Sequence, residues 1–147
     1  MATPGEVWAF EHSVQCDAPV EFAWAFWTDV RNWGIDADVD SIEIDGPFAA
    51  GTSGRTYSKS SGRLEWRIVE AGSGRGVIEF PVPGAAGRFY WTFEESGDGT
   101  RMRQRCTLTG ERAAEYVPAI GPALEAGIPA GMQKLGESIE RAAGRRR

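Results

Sequence analysis

The last third of the chain carries an apolar stripe with helical spacing, and this stripe limits how the rest can fold. Seven apolar residues recur at steps of three or four: Val117, Ile120, Leu124, Ile128, Met132, Leu135 and Ile139. This spacing places them on one face of a long C-terminal helix. Another element must cover the stripe, because it is too long to remain exposed to water. Pro118, Pro122 and Pro129 predict a local bend or break, which we place before Ala130.

The segments before this stripe alternate between apolar and polar residues, which is typical of half-buried β-strands. In the first run, AFEHSVQCD, residues Phe10, His12, Val14 and Cys16 point to one side. Further runs are SIEID, TSGRTYSKS, RLEWRIVE, VIEFPV, RFYWTFEE and RMRQRCTLT. The turn sequences GSGRG and SGDGT favour hairpin connections between them. The sequence therefore predicts about six to seven antiparallel strands.

A short aromatic helix is predicted directly after the first strand. The stretch DAPVEFAWAFWTDVRNW begins with Pro19 and Glu21, which favour a helix start, and the helix ends near Asp29–Trp33. We expect the face with Trp27 to pack on the sheet. Trp24 lies on an adjoining face, where it meets the C-terminal helix, rims a cavity or contacts a second subunit.

Together these elements predict one α+β domain over residues 1–147. A curved antiparallel sheet of about six to seven strands wraps around the long C-terminal α-helix, with short helices after the first strand. Hairpin-linked strands leave one wet face, so the C-terminal helix must cover the dry one.

Composition excludes several classes of function. A formal net charge of −5 argues against nucleic-acid binding, which depends on neutralising phosphates. No segment approaches the roughly 20 apolar residues that membrane insertion requires. The start MATPGEV lacks the features of a signal peptide, so we expect a cytoplasmic protein. Cys16 and Cys106 lie on the apolar side of strands and fit that compartment as buried, reduced thiols.

Residues able to carry chemistry are few. His12, the only histidine, is either a neutral core residue or an acid–base group facing the interior. Four strand residues place it roughly 13 Å from Cys16, too far for a Cys–His pair; a pairing with Cys106 stays open. The acidic run DADVD resembles a calcium loop, but Ser41 and Pro47 occupy positions that require Gly and Glu. We therefore predict no metal site and no cofactor.

The order of these elements resembles the helix-grip fold of the START-like (SRPBCC) superfamily, and the motifs resemble its polyketide cyclase/dehydrase-like branch. The motifs concerned are CDAPVEFAWAFWTDVRNW, IDGPFAAGT, GDGTRMRQRCTLTG and GIPAGMQKLGESIE. The resemblance implies a deep cavity between sheet and C-terminal helix, in which relatives hold lipids, sterols, polyketides or plant hormones. It implies no shared catalytic motif, so the catalytic residues stay unknown.

The inward faces combine bulky aromatic residues with few polar groups, as small-molecule pockets do. The same side chains would also suit a filled core, and that alternative stays open. Glycines on the covering helix favour a cavity, because they leave room beneath it. The candidate pocket residues are His12, Trp24, Trp27, Thr56, Trp66, Phe80, Trp91, Phe93, Gln104, Leu124, Gly127, Ile128 and Gly131.

These features predict a cytosolic binding protein for a small, largely apolar, cyclic or aromatic molecule of polyketide or lipid type. An alternative is a polyketide cyclase, aromatase or dehydratase that uses the same cavity, with His12 or a neighbouring polar group moving protons. A second alternative is a protein-interaction or stress-response module with an exposed aromatic patch. The expected partner is a small apolar molecule, and the apolar first helix leaves a homodimer open.

Overall fold

The computed structural model describes residues 6–35, 39–59 and 62–145. Its strands, in chain order, are β1 (Glu6–Cys16), β2 (Val39–Ile44), β3 (Ser53–Ser58), β4 (Gly62–Gly72), β5 (Arg75–Val82), β6 (Ala85–Ser96) and β7 (Gly99–Thr109). Two α-helices, α1 (Val20–Thr28) and α2 (Ala113–Arg145), lie after β1 and after β7. A short 3-10 helix (Val30–Ile35) follows α1.

The seven strands form one antiparallel sheet in the order β1-β7-β6-β5-β4-β3-β2. The predicted architecture of hairpin-linked strands followed by one long helix is thereby confirmed. The first strand does not pair with its neighbour in sequence; it pairs with β7, at the other end of the strand series. Strands β1 and β2 are consequently the two edges of the sheet.

The register places the alternating apolar residues on one face of the sheet. Gln104 on β7 lies opposite His12 on β1 and opposite Trp91 on β6. Directly paired residues point to the same side of an antiparallel sheet. The buried side chains Ile68, Ile78, Met102 and Leu108 belong to this inner face.

Helix α2 covers the inner face and runs without interruption from Ala113 to Arg145. The break predicted before Ala130 was therefore wrong: all three prolines lie inside the continuous helix. Each proline removes one hydrogen bond within the helix, but burial of the apolar stripe offsets the loss. Ile128, Met132, Leu135 and Ile139 are all buried against the sheet and α1.

The connection from α1 to β2 departs in detail from the prediction. The acidic run at 36–40 falls largely outside the described residues, which omit 36–38, and β2 begins at Val39 rather than at Ser41. No helix among the described residues is both long and apolar enough to cross a membrane.

Candidate functional site

A cavity of about 350 Å³ lies between the inner face of the sheet, the 3-10 helix and α2. Ten of the thirteen predicted pocket residues line it. They are Trp27, Thr56, Trp66, Phe80, Trp91, Gln104, Leu124, Gly127, Ile128 and Gly131. Strand alternation brings the sheet residues together, and the spacing of the stripe supplies those from α2.

The other three predicted residues lie outside the cavity. His12 is on edge strand β1, which packs under α2, and it stays half-buried beside Gln104. Trp24 packs edge-on against Phe93, with ring centroids 5.5 Å apart. Phe93 in turn stacks on Trp91 at 6.0 Å and is buried behind the cavity wall. These two rings therefore support the wall and do not line it.

Seven lining residues were missing from the predicted set: Asn32, Trp33, Leu64, Ile78, Phe89, Met132 and Leu135. Five of them share the alternation or the stripe with predicted neighbours, so the same patterns identify them. Asn32 and Trp33 differ, because they lie in the 3-10 helix. A 3-10 helix of only six residues is too short to show a hydrophobic period from which its inward side can be read.

Six of the seventeen described lining residues carry aromatic rings, which pack against one another in the wall. Trp27 packs on Trp91 with centroids 5.0 Å apart, and Trp33 packs on Trp66 at 5.1 Å. Phe80 and Phe89 form a third pair at 5.1 Å. The cavity is thus bounded by large, rigid surfaces suited to contact with flat apolar molecules.

Two glycines in the strands let these rings lie close to the sheet. A Cβ at Gly54 would stand 2.3 Å from the Trp66 ring, and a Cβ at Gly87 would stand 2.0 Å from the Phe80 ring. Neither distance is compatible with a real side chain, so glycine at these positions allows the close approach. Because these rings lie close to the sheet, space for the cavity remains between them and α2.

Polar groups in the lining are sparse and mostly paired. Asn32 donates its side-chain N–H to the carbonyl of Phe26 at 2.8 Å. Trp66 donates its indole N–H to the Thr56 hydroxyl oxygen at 3.0 Å. Gln104 differs: the residue is only 6% exposed, and its side chain forms no hydrogen bond with any described residue. Its amide atoms are not among the fully buried unpaired atoms, so they face the open space of the cavity.

No charged or titratable side chain is found among the described residues that line the cavity. Charge is concentrated on the outer face of the sheet, where Arg55 pairs with Glu43 and Asp45. Hydrogen bonds from Arg55 hold the pKa of Asp45 below its usual value. Groups of metal-ligating residues are likewise absent from the described part of the chain.

The cysteines are unsuited to act as nucleophiles. Both are buried free thiols. Burial raises the pKa of Cys106 to about 12, and burial together with Glu140 and Asp17 raises that of Cys16 to about 11. The thiolate required for attack is thus disfavoured at both positions. His12 and Cys106 also do not form a direct cross-strand pair, because Cys106 lies opposite Phe10 on β1 and His12 lies opposite Gln104.

The exposed members of the lining indicate where the cavity opens. Leu64 on β4 is 39% exposed, and Gly127 and Gly131 on α2 are exposed as well. A Cβ at either glycine would meet nothing within 4 Å. We therefore assign the mouth to the space between the glycine side of α2 and the β4 end of the sheet.

Solved structures with the same architecture include proteins of different activities. One is the Zhui aromatase/cyclase from Streptomyces sp. R1128, with a TM-score of 0.76, 15% identity and coverage of 91% of this chain and 94% of that one. Norcoclaurine synthase from Thalictrum flavum has a TM-score of 0.74 at 11% identity, covering 95% and 99%.

A third similar structure is the protein TTHA0849 from Thermus thermophilus, with a TM-score of 0.74, 17% identity and coverage of 92% and 99%. At these identities the likeness shows the fold alone. No curated protein matches the chain by sequence. The family model described as polyketide cyclase/dehydrase and lipid transport, in contrast, matches residues 7–143. The chain therefore belongs to the polyketide cyclase/dehydrase and lipid transport family.

Proposed function

We propose that the protein binds a small, uncharged, largely apolar molecule with a cyclic or aromatic skeleton inside the cavity. The observation that carries this proposal is the chemistry of the lining, which is aromatic and aliphatic with a few uncharged polar groups. Burying a charged ligand group there without a partner would cost several kcal/mol. Burying apolar surface contributes about 25 cal/mol per Å².

The size of the cavity supports a compact ligand. Small-molecule pockets range from about 300 to 1,000 Å³, and the volume of about 350 Å³ lies near the lower limit. Paired rings such as Trp27 and Trp91 offer broad flat contacts. A rigid ring system loses less conformational entropy on binding than a flexible chain does, so it fits this site better than a long acyl chain.

Binding is favoured over the cyclase alternative by the absence of an acid–base group in the described lining. The family description and the aromatase/cyclase neighbour support catalysis in general terms. Proton transfer, however, requires a group within about 3 Å of the reacting atom or one water away. His12, the residue suggested for this role, lies on β1 outside the lining.

The interaction-module alternative receives less support. It requires an exposed aromatic patch, whereas the exposed large hydrophobic residues of the described chain are Val7 and Leu64. The two free, buried thiols fit a reducing compartment such as the cytosol. A homodimer stays a prediction, which the native mass of the purified protein tests.

A matched pair of fluorescent probes tests the proposal. Phenylnaphthylamine is uncharged, and anilinonaphthalene sulfonate has the same ring skeleton with one sulfonate added. We expect the uncharged probe to bind saturably at one molecule per chain and to change the tryptophan fluorescence. The sulfonate should bind at least about tenfold more weakly, because the lining offers it no positive partner.

Two outcomes would contradict the proposed function. One is unsaturable or absent binding of the uncharged probe at concentrations up to its solubility. The other is equal affinity for both probes, which would locate binding on a charged or solvent-exposed surface.

A further inference from the structure

Gln104 is the one buried amide in the cavity that the described part of the protein leaves without a partner. It lies on β7, between His12 on β1 and Trp91 on β6. Only 6% of the residue is exposed, and it lines the cavity. Its carboxamide carries two N–H donors and a carbonyl acceptor, and none of these is hydrogen-bonded to a described residue. The fully buried side-chain atoms without a partner in the described chain are the Thr92 and Thr107 hydroxyl oxygens. The Gln104 amide is not one of them, so it meets the open space of the cavity without a protein partner.

The other side-chain amide and the hydroxyl among the described lining residues already have protein partners. Asn32 is bound to the Phe26 carbonyl, and the Thr56 hydroxyl receives the indole N–H of Trp66. Both interactions hold parts of the wall in place. Gln104 holds nothing in place in the described structure, so its amide is available to a bound molecule.

We propose that Gln104 selects the ligand, favouring an uncharged aromatic molecule that carries a hydrogen-bond donor beside an acceptor, as in a carboxamide or lactam. Such an edge pairs with both halves of the Gln104 amide, while the rings of Trp91 and Phe89 contact the rest. A ketone of the same shape satisfies only the N–H side of Gln104. An alkyl group satisfies neither side and leaves a buried donor and acceptor unpaired, which is costly. This inference rests on the proposed function, since it concerns the same cavity.

Three probes of nearly equal shape separate these cases: naphthamide, methyl naphthyl ketone and isopropylnaphthalene. Their affinities are compared between the wild-type protein and Gln104→Met, which keeps an unbranched side chain of similar length. We expect the variant to bind naphthamide about tenfold more weakly. It should bind the ketone a few-fold more weakly, and isopropylnaphthalene equally well or more tightly.

Unfolding of the ligand-free proteins in urea supplies the readout that a structural role would change. We expect Gln104→Met to be at least as stable as the wild type, because no protein hydrogen bond is lost. A loss of stability would show that Gln104 supports the fold and would overturn the inference.

The pattern of binding separates the two proposals. If isopropylnaphthalene and phenylnaphthylamine both fail to bind the wild type, the proposed function itself fails, and the inference fails with it. If they bind but Gln104→Met changes the affinity for all three naphthalene probes by the same factor, the cavity is a binding site without selection by Gln104.

Discussion

Replacing Trp27 by alanine should lower the free energy of unfolding by about 3–5 kcal/mol, the usual range for a buried Trp. The residue is 3% exposed. Its ring packs against those of Trp24, Trp33, Phe48, Trp91 and Phe93, with centroids 5.0–5.9 Å apart. Total stabilities of single domains are about 5–15 kcal/mol, so this single loss is a large fraction. Urea unfolding followed by circular dichroism measures it.

The matched control is Trp24→Ala on the same helix. Trp24 is half-buried and packs on Trp27 and Phe93, so we expect a clearly smaller loss. Trp27→Phe should fall between the wild type and Trp27→Ala, and it keeps the comparison informative if the alanine variant does not fold. Equal losses for Trp27→Ala and Trp24→Ala would show that Trp27 does not link α1 to the cavity wall.

Replacing Gly131 by leucine should strongly weaken the binding of phenylnaphthylamine while leaving the fold intact. Gly131 lines the cavity, and a Cβ there meets nothing within 4 Å. A leucine side chain would extend into the free space at the mouth. Leucine is also the better helix former by about 0.8 kcal/mol, so the free energy of unfolding should stay equal or rise. We expect affinity to fall at least about tenfold, measured by fluorescence titration.

Gly144→Leu is the control for the helix effect. Gly144 lies in α2 near its end, is exposed, also has open space at its Cβ position, and is not part of the cavity lining. The substitution should leave probe binding unchanged. Wild-type affinity in Gly131→Leu would mean that the probe does not enter past the glycine side of α2.

The fold was readable from the sequence because two periods dominate it. Alternation identifies the inner faces of the strands, and the α2 stripe requires a sheet beneath it. Alternation does not, however, tell how strands are ordered. His12 and Gln104 share one face, yet pairing of β1 with β7 puts His12 at an edge under α2 and Gln104 at the cavity. That pairing joins residues distant in sequence and has no local signal.

Two other differences between the structure and the sequence prediction arise from tertiary packing. The prolines of α2 predicted a local bend or break, but the helix continues through them without a break, and its stripe from Ile128 to Ile139 is buried. Trp33 lines the cavity because the 3-10 helix turns it inward, where its indole N–H donates to the Trp27 carbonyl at 2.6 Å. Local propensity does not encode either outcome, since both depend on what the segment meets after folding.

The central claim is that an uncharged aromatic molecule occupies the cavity. NMR tests it most directly, through the indole N–H signals of isotope-labelled tryptophan. Trp27, Trp33, Trp66 and Trp91 line the cavity, whereas Trp8 lies under α2, where its N–H donates to Glu125 at 3.1 Å. Addition of phenylnaphthylamine should shift the four cavity signals and leave that of Trp8 unchanged. A shift of the Trp8 signal with the four cavity signals unmoved would contradict the account.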